Sequence, residues 1–211
     1  MAIISKGILG AYYGKVGEVV GSSWRGINYV KSLPRKIKRT ASEKALNQRA
    51  KFAMVAGFLK PLREFLKKSF NDKGLEFMTS SNYVTSQLLR KAIVGKLPSL
   101  TFDYSKVELS KGMISKLMDL THKNDDGKIL VNWVDSEFSL LPEPDVNVHM
   151  IVYLEEKNQF LLVPNVKRSA KGIMITEDKL GNGRIAIWVF CSNAEMTKFS
   201  DSQFILEKVI S

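Results

Sequence analysis

NVHMIVYLEEKNQFLLVPNV, residues 147–166, is the stretch on which the fold turns. It holds two short β-prone runs, NVHMIVYLEE at 147–156 and QFLLVPNV at 159–166, rich in branched and aromatic residues. Comparable runs flank it on both sides: TFDYSKVEL at 101–109, KILVNWVD at 128–135, GIMITE at 172–177, RIAIWVFCS at 184–192 and SQFILEKVI at 202–210. Turn-forming stretches at 123–127, 141–145 and 180–183 separate them. Some seven short strands so spaced predict an all-β sandwich with Val131, Ile151 and Trp188 facing inward. Trp133 falls on the strand face of Val131, and Trp133, Tyr153, Trp188 and Phe190 are core candidates.

Before Leu100 the pattern changes. Residues 15–34, KVGEVVGSSWRGINYVKSLP, contain two β-prone runs around Arg25-Gly26 and predict a hairpin. A basic linker, PRKIKRTAS, follows at 34–42. Thr40 with Glu43, or Ser42 alone, then supplies a helix N-cap, and Leu46, Ala50, Phe52, Ala53, Val55, Phe58 and Leu59 recur at helical spacing. Pro61 lacks an N–H and divides or kinks this helix; Leu62, Phe65, Leu66 and Phe70 continue its stripe. A further helix over about 80–94 carries Val84, Leu88 and Ile93 inward. The chain therefore reads as α+β in two domains. Residues 1–98 form a basic hairpin-and-helix domain, and residues 99–211 a β-sandwich expected to fold alone.

Composition narrows the function classes. The chain has 211 residues, 45% apolar and 25% charged, close to soluble globular averages. Cys191 is the only cysteine, so no internal disulfide, thiolate zinc cluster or CxxC pair can form. No uncharged apolar run of about 18 residues exists, and Lys6, Lys15 and Glu18 interrupt the N-terminal apolar stretch. Neither a membrane span nor a signal peptide is expected, and the location is read as cytoplasmic or particle-associated. Net charge is +11, unevenly spread: residues 1–100 hold 19 Lys/Arg against 5 Asp/Glu, and residues 101–211 hold 13 against 16.

The candidate binding residues follow from that asymmetry. Lys31, Arg35, Lys36, Lys38 and Arg39 form the densest basic run, extended by Arg25 and Arg49, with Trp24 and Tyr29 beside it. Cations that neutralise phosphates bind nucleic acid through counterion release, and rings can stack on bases. The same surface suits an acidic protein partner or self-assembly, and nucleic acid through residues 25–51 is the alternative. Glycines at 7, 10, 14, 17 and 21 have the spacing of a helical packing seam, yet tight turns in a hairpin explain them more simply. No phosphate-loop motif is present. His122 reads as a polar-loop residue and His149 as a core histidine. Asp125 with Asp126, and Glu143 with Asp145, read as turn acids. No catalytic residue, metal site or cofactor is assigned, and no enzymatic activity is expected.

Two resemblances add to this. The seven-strand pattern, with Trp133, Tyr153 and the RIAIWVF run, resembles fibronectin type III and immunoglobulin-like domains, which implies a contact or spacing role. KGILG at 6–10, GKVGEVVGSSWRG at 14–26, KSLP at 31–34, QRAKF at 48–52, FLKPL at 58–62 and YSKVELSKG at 104–112 resemble an uncharacterised family of Bacteroidota proteins. That resemblance implies the two-part layout and carries no site residue. Together these readings imply a non-enzymatic binding or assembly protein, such as a component of a virion or other large particle.

Overall fold

A computed structural model describes residues 2–3, 13–24, 26–34, 40–70, 78–125, 127–134 and 146–210. The chain divides into two compact units, Met1–Ser42 and Glu43–Ser211.

In the first unit, β1 (Ala2–Ile3), β2 (Gly14–Val16), β3 (Val19–Trp24) and β4 (Ile27–Ser32) form one antiparallel sheet in the order β1-β4-β3-β2. The predicted hairpin is present. Trp24 pairs with Ile27, so the chain reverses at Gly26, and Val16 pairs with Val19 around Gly17-Glu18. Gly26 and Gly17 have φ of +80° and +58°, which side-chain-bearing residues rarely adopt and two-residue hairpin turns demand. Gly17 thus belongs to a turn, and Gly14 and Gly21 face each other across β2 and β3, so these three belong to a hairpin rather than to a helical seam; Gly7 and Gly10 lie outside the described residues.

The second unit opens with helices. α1 (Glu43–Leu59) begins directly after Ser42, the chain turns through Lys60–Leu62 at Pro61, and α2 (Arg63–Ser69) follows. α3 (Ser80–Lys91) starts at Thr79, whose hydroxyl accepts the Asn82 N–H at 3.2 Å. Val55, Phe58, Leu59, Leu62, Leu66, Val84 and Leu88 are buried as the apolar stripe predicts. Leu46 and Phe52 are not: both stand about half exposed, in the first turn and the middle of α1, and Ala53 is exposed too. Ile93 lies beyond α3, in β5 (Ile93–Val94), which pairs with β6 (Thr101–Phe102).

The expected strand over 101–109 is mostly irregular. After β6 a 3-10 turn at Tyr104–Lys106 lets Tyr104, Val107 and Leu109 all turn into the core, which strict alternation would forbid. Another strand was concealed by its polarity. β7 (Met118–Asp125) carries Thr121, His122, Lys123 and Asn124 exposed, so His122 lies on an edge strand and not in a loop. β8 (Lys128–Val134), β9 (Asn147–Leu154), β10 (Gln159–Lys167), β11 (Gly172–Thr176), β12 (Gly183–Ser192) and β13 (Gln203–Ile210) fall where the sequence places them.

These strands form two antiparallel sheets, β10-β9-β12-β13 and β11-β8-β7. Val148, Met150, Val152 and Leu154 of β9, with Ile185, Ile187, Val189 and Cys191 of β12, meet Ile129, Val131 and Trp133 of β8 in one core. The alternate residues Ile151 and Tyr153 of β9, and Ala186, Trp188 and Phe190 of β12, meet the helices in a second core. Phe58 lies edge-on to Tyr153 at 4.9 Å, and Phe65 lies 5.3 Å from Phe190.

This arrangement moves the boundary expected between residues 98 and 99. The helices cover the outer face of the four-stranded sheet, so they and the strands share a core, and the chain divides at 42/43 instead. Ile151 and Trp188 are inward residues of the helix side, not of the core between the sheets.

Two predictions follow from the layering. Uncovering Ile151, Tyr153, Trp188 and Phe190 at about 1.5–3 kcal/mol each removes stabilisation comparable with the whole stability of a domain. Residues 43–211 should therefore unfold cooperatively, while residues 99–211 alone should aggregate or lack near-ultraviolet circular dichroism; a native-like spectrum from the shorter fragment would refute the shared core. Trp133 is 3% exposed and its indole N–H donates to the Arg168 carbonyl at 2.8 Å. Trp133→Ala should cost about 3–5 kcal/mol in urea unfolding, and a midpoint near that of the parent would contradict its core role.

Candidate binding face and buried polar sites

The register of the N-terminal sheet sorts its side chains. Cross-strand partners share a face, and Val20 pairs with both Lys15 and Lys31, Ser22 with Tyr29, and Trp24 with Ile27. Period two then sets Lys15, Val20, Ser22, Trp24, Ile27, Tyr29 and Lys31 on one face. Val16, Val19, Gly21 and Val30 occupy the other. Three of the sequence candidates, Trp24, Tyr29 and Lys31, are thereby brought together, and Lys15 joins them. The sequence could have revealed Lys15 through the Gly17-Glu18 turn, which fixes its register.

This face is open to solvent. Trp24 is 41% exposed, Lys15 and Lys31 are exposed, and Ile27 and Tyr29 are half-buried. Gly21 is the one buried residue of the unit among those described. The electrostatic setting is basic: residues 1–42 hold eight Lys/Arg and a single acid, Glu18. Arg25, Arg35, Lys36, Lys38 and Arg39 lie outside the described residues. Arg49 is an exposed cation on α1, in the second unit.

Residues capable of chemistry also gather inside the second unit. His149 is 3% exposed and stacks on Phe190 at 5.0 Å. Its Nε2 lies 2.8 Å from the Ser192 hydroxyl, which donates to the Asn193 carbonyl at 2.9 Å. Ser192 thus links the buried imidazole to the Asn193 carbonyl. Burial holds the His149 pKa below its ordinary value.

A second cluster joins residues distant in sequence. The Arg184 guanidinium pairs with Glu207 and, at 3.6 Å, with Glu155, and lies 5.7 Å from the centre of the Tyr104 ring. Burial raises the Tyr104 hydroxyl above the usual phenolic range and pushes Tyr153 up to about 12, with Glu155 adding to both. Sequence reasoning missed this cluster because strand pairing alone brings residues 155, 184 and 207 together. Among the described residues, no group of three or more His, Cys, Asp or Glu side chains is placed to hold a metal ion. No helix among the described residues is long and apolar enough to cross a membrane.

Residues 11–175 match the model of a family described as "Family of unknown function (DUF6266)". The chain belongs to this family. The DUF6266 match runs across the 42/43 division and ends within β11, so both compact units contribute to it. No curated protein matches the chain. Among solved structures, the DUF6266 chain is similar over 45% of its length to the Clostridium perfringens spore cortex lytic enzyme SleM, at 18% identity. The similarity spans 27% of that enzyme's chain with a TM-score of 0.31, a level that carries no argument about fold or activity.

The buried imidazole makes stability depend on pH. His149 binds a proton more readily in the unfolded chain, near its ordinary value of 6.5, than in the fold. Its contribution is complete above that value and is lost as pH falls below it toward the lower folded value. The thermal midpoint should drop between about pH 7 and 5, and His149→Gln should flatten that slope. Parallel pH profiles for parent and variant would show that His149 is not the group responsible.

Proposed function

We propose that this protein is a non-enzymatic binding or assembly component that docks an acidic protein partner on the N-terminal sheet. The observation that carries the reading is the face on which Trp24, Ile27 and Tyr29 continue from the row Lys15-Val20-Lys31. Aromatic and branched residues with cations at one end suit an interface whose rings are anchors and whose charges steer. Phosphate binding alone has no use for Val20 and Ile27. The C-terminal strands are read as an immunoglobulin-like or fibronectin III-like module carrying an added helical layer. Support comes from antiparallel sheets of four and three strands meeting across one apolar core. Such a module acts as a spacer or docking body, as a component of a virion or other large particle requires.

A second reading has its own support. Trp24 and Tyr29 beside Lys15 and Lys31 on an open sheet match the way single strands are bound, by base stacking and charge. The basic linker adds four further cations, Arg35, Lys36, Lys38 and Arg39.

The two readings separate cleanly. Partner recovery from the native source, performed after nuclease treatment, should succeed with the parent protein and fail with the Trp24→Ala/Tyr29→Ala variant, whose melting should be unchanged. Loss of two interface anchors should weaken the partner by about 30-fold or more. In parallel, filter binding to an oligonucleotide should show no steep salt dependence. A log-log slope near 0.7 per neutralised phosphate on single strands, flattened by changing Arg35, Lys36, Lys38 and Arg39 to Ser, would favour nucleic acid instead.

A further inference from the structure

Each of the two larger sheets of the second unit ends in two edge strands, and three of these four are guarded. β7 carries Asp119, Lys123 and Asp125, and β13 carries Glu207 and Lys208. β10 contains Pro164, and its pairing with β9 slips between Val163 and Val166. Charges, prolines and bulges are the devices that keep sheet edges from pairing with other chains. β11 has none of them: its sequence is GIMIT.

The hydrogen-bond phase of β11 is fixed by its ends. The Trp133 N–H donates to the Lys171 carbonyl at 3.2 Å and the Glu177 N–H to the Gly127 carbonyl at 2.7 Å. Antiparallel ladders bond at every second residue, so Ile173 and Ile175 bond to β8, and Gly172, Met174 and Thr176 direct their N–H and C=O groups away from it. No described strand pairs with that side. Beside it lies an open apolar cleft of about 570 Å³, lined by Leu161, Val163, Pro164 and Val166 of β10 and by Ile173 and Ile175. Met174 is 61% exposed on the outer face of the strand.

We infer that β11 pairs antiparallel with β11 of a second copy of this chain, about a two-fold axis through Met174. The register is self-consistent. An axis at Met174 sets Gly172 opposite Thr176 and Met174 opposite itself, so the residues with free main-chain groups are those that exchange bonds. The flanks are complementary as well. Lys171 of one copy falls opposite Glu177 of the other, whose carboxylate also pairs with Lys208 of its own chain, with the exposed Asp178 next to it, and the symmetry repeats this contact. The two three-stranded sheets become one continuous sheet, and the second copy closes the cleft from the side. This inference stands apart from the N-terminal face, which plays no part in it.

The test exploits the residue on the axis, where a charge must meet its own copy. The full-length parent should sediment as a dimer at about 100 μM, within the micromolar to millimolar range in which weak dimers form. Met174→Glu and Met174→Lys, each alone, should weaken self-association by about fivefold or more through like charges placed directly opposite, without lowering the melting point of this exposed site. An equimolar mixture of the two variants should recover the dimer. A monomeric parent, a dimer undisturbed in either variant, or a mixture that stays monomeric would each overturn the two-fold pairing.

Discussion

The antiparallel pair β9 and β12 is the constraint from which the rest of the second unit follows. From Ile185 opposite Leu154 to Ser192 opposite Asn147, both strands are paired along their length and almost every residue is buried. Their side chains cannot be satisfied by one layer. Even-numbered residues of β9 and odd-numbered residues of β12 need the three-stranded sheet, and the alternate set needs the helices. A pair apolar on both faces thereby dictates a layer on each side of it.

The helix side shows what such packing overrides. Trp188 is fully buried, edge-on to Tyr104 and to Phe204, and its indole N–H has no hydrogen-bond partner. An unmet buried donor costs about 1–3 kcal/mol. A large ring among aromatic neighbours offsets that cost through buried area and edge-to-face contacts. His149 solves the same problem differently: it stands in the row of Ile151 and Tyr153, keeps a neutral ring, and finds Ser192 on the neighbouring strand. One polar group was accommodated by a partner and the other by dispersion.

The sequence was most legible where local chemistry acts alone. Arg25-Gly26 marked its hairpin because a two-residue turn needs positive φ, and Pro61 marked the end of α1 because it cannot donate. RIAIWVFCS and NVHMIVYL were legible as strands but not as strands buried twice. An uninterrupted apolar run shows that both faces are covered without saying by what, so the helices were read as a separate domain. β7 escaped notice because an edge strand facing solvent carries the residues of a loop. The exposure of Leu46 and Phe52 was equally hidden, since helical spacing records a stripe and not how far a neighbour extends along it. At the candidate face, the aromatic and basic residues were visible from composition, while the gathering of Trp24, Tyr29 and Lys31 on one surface required the register.

The N-terminal sheet poses the remaining physical question, because its strands are regular while among its described residues only Gly21 is buried. Small sheets persist in water when an apolar face is packed against something, and hydrogen bonds alone leave them marginal. Here Val20, Ile27, Tyr29 and Val30 are only half-buried, and Tyr13, Val16, Val19 and Trp24 are exposed. Strand propensity and turn chemistry are thus strong enough to specify the sheet, while the burial that would make it stable is incomplete among its described residues. Trp24, Ile27 and Tyr29 nevertheless share one face of the sheet with Lys15 and Lys31. On the proposed reading, a docked acidic partner would supply the missing layer and give the cations a counter-charge.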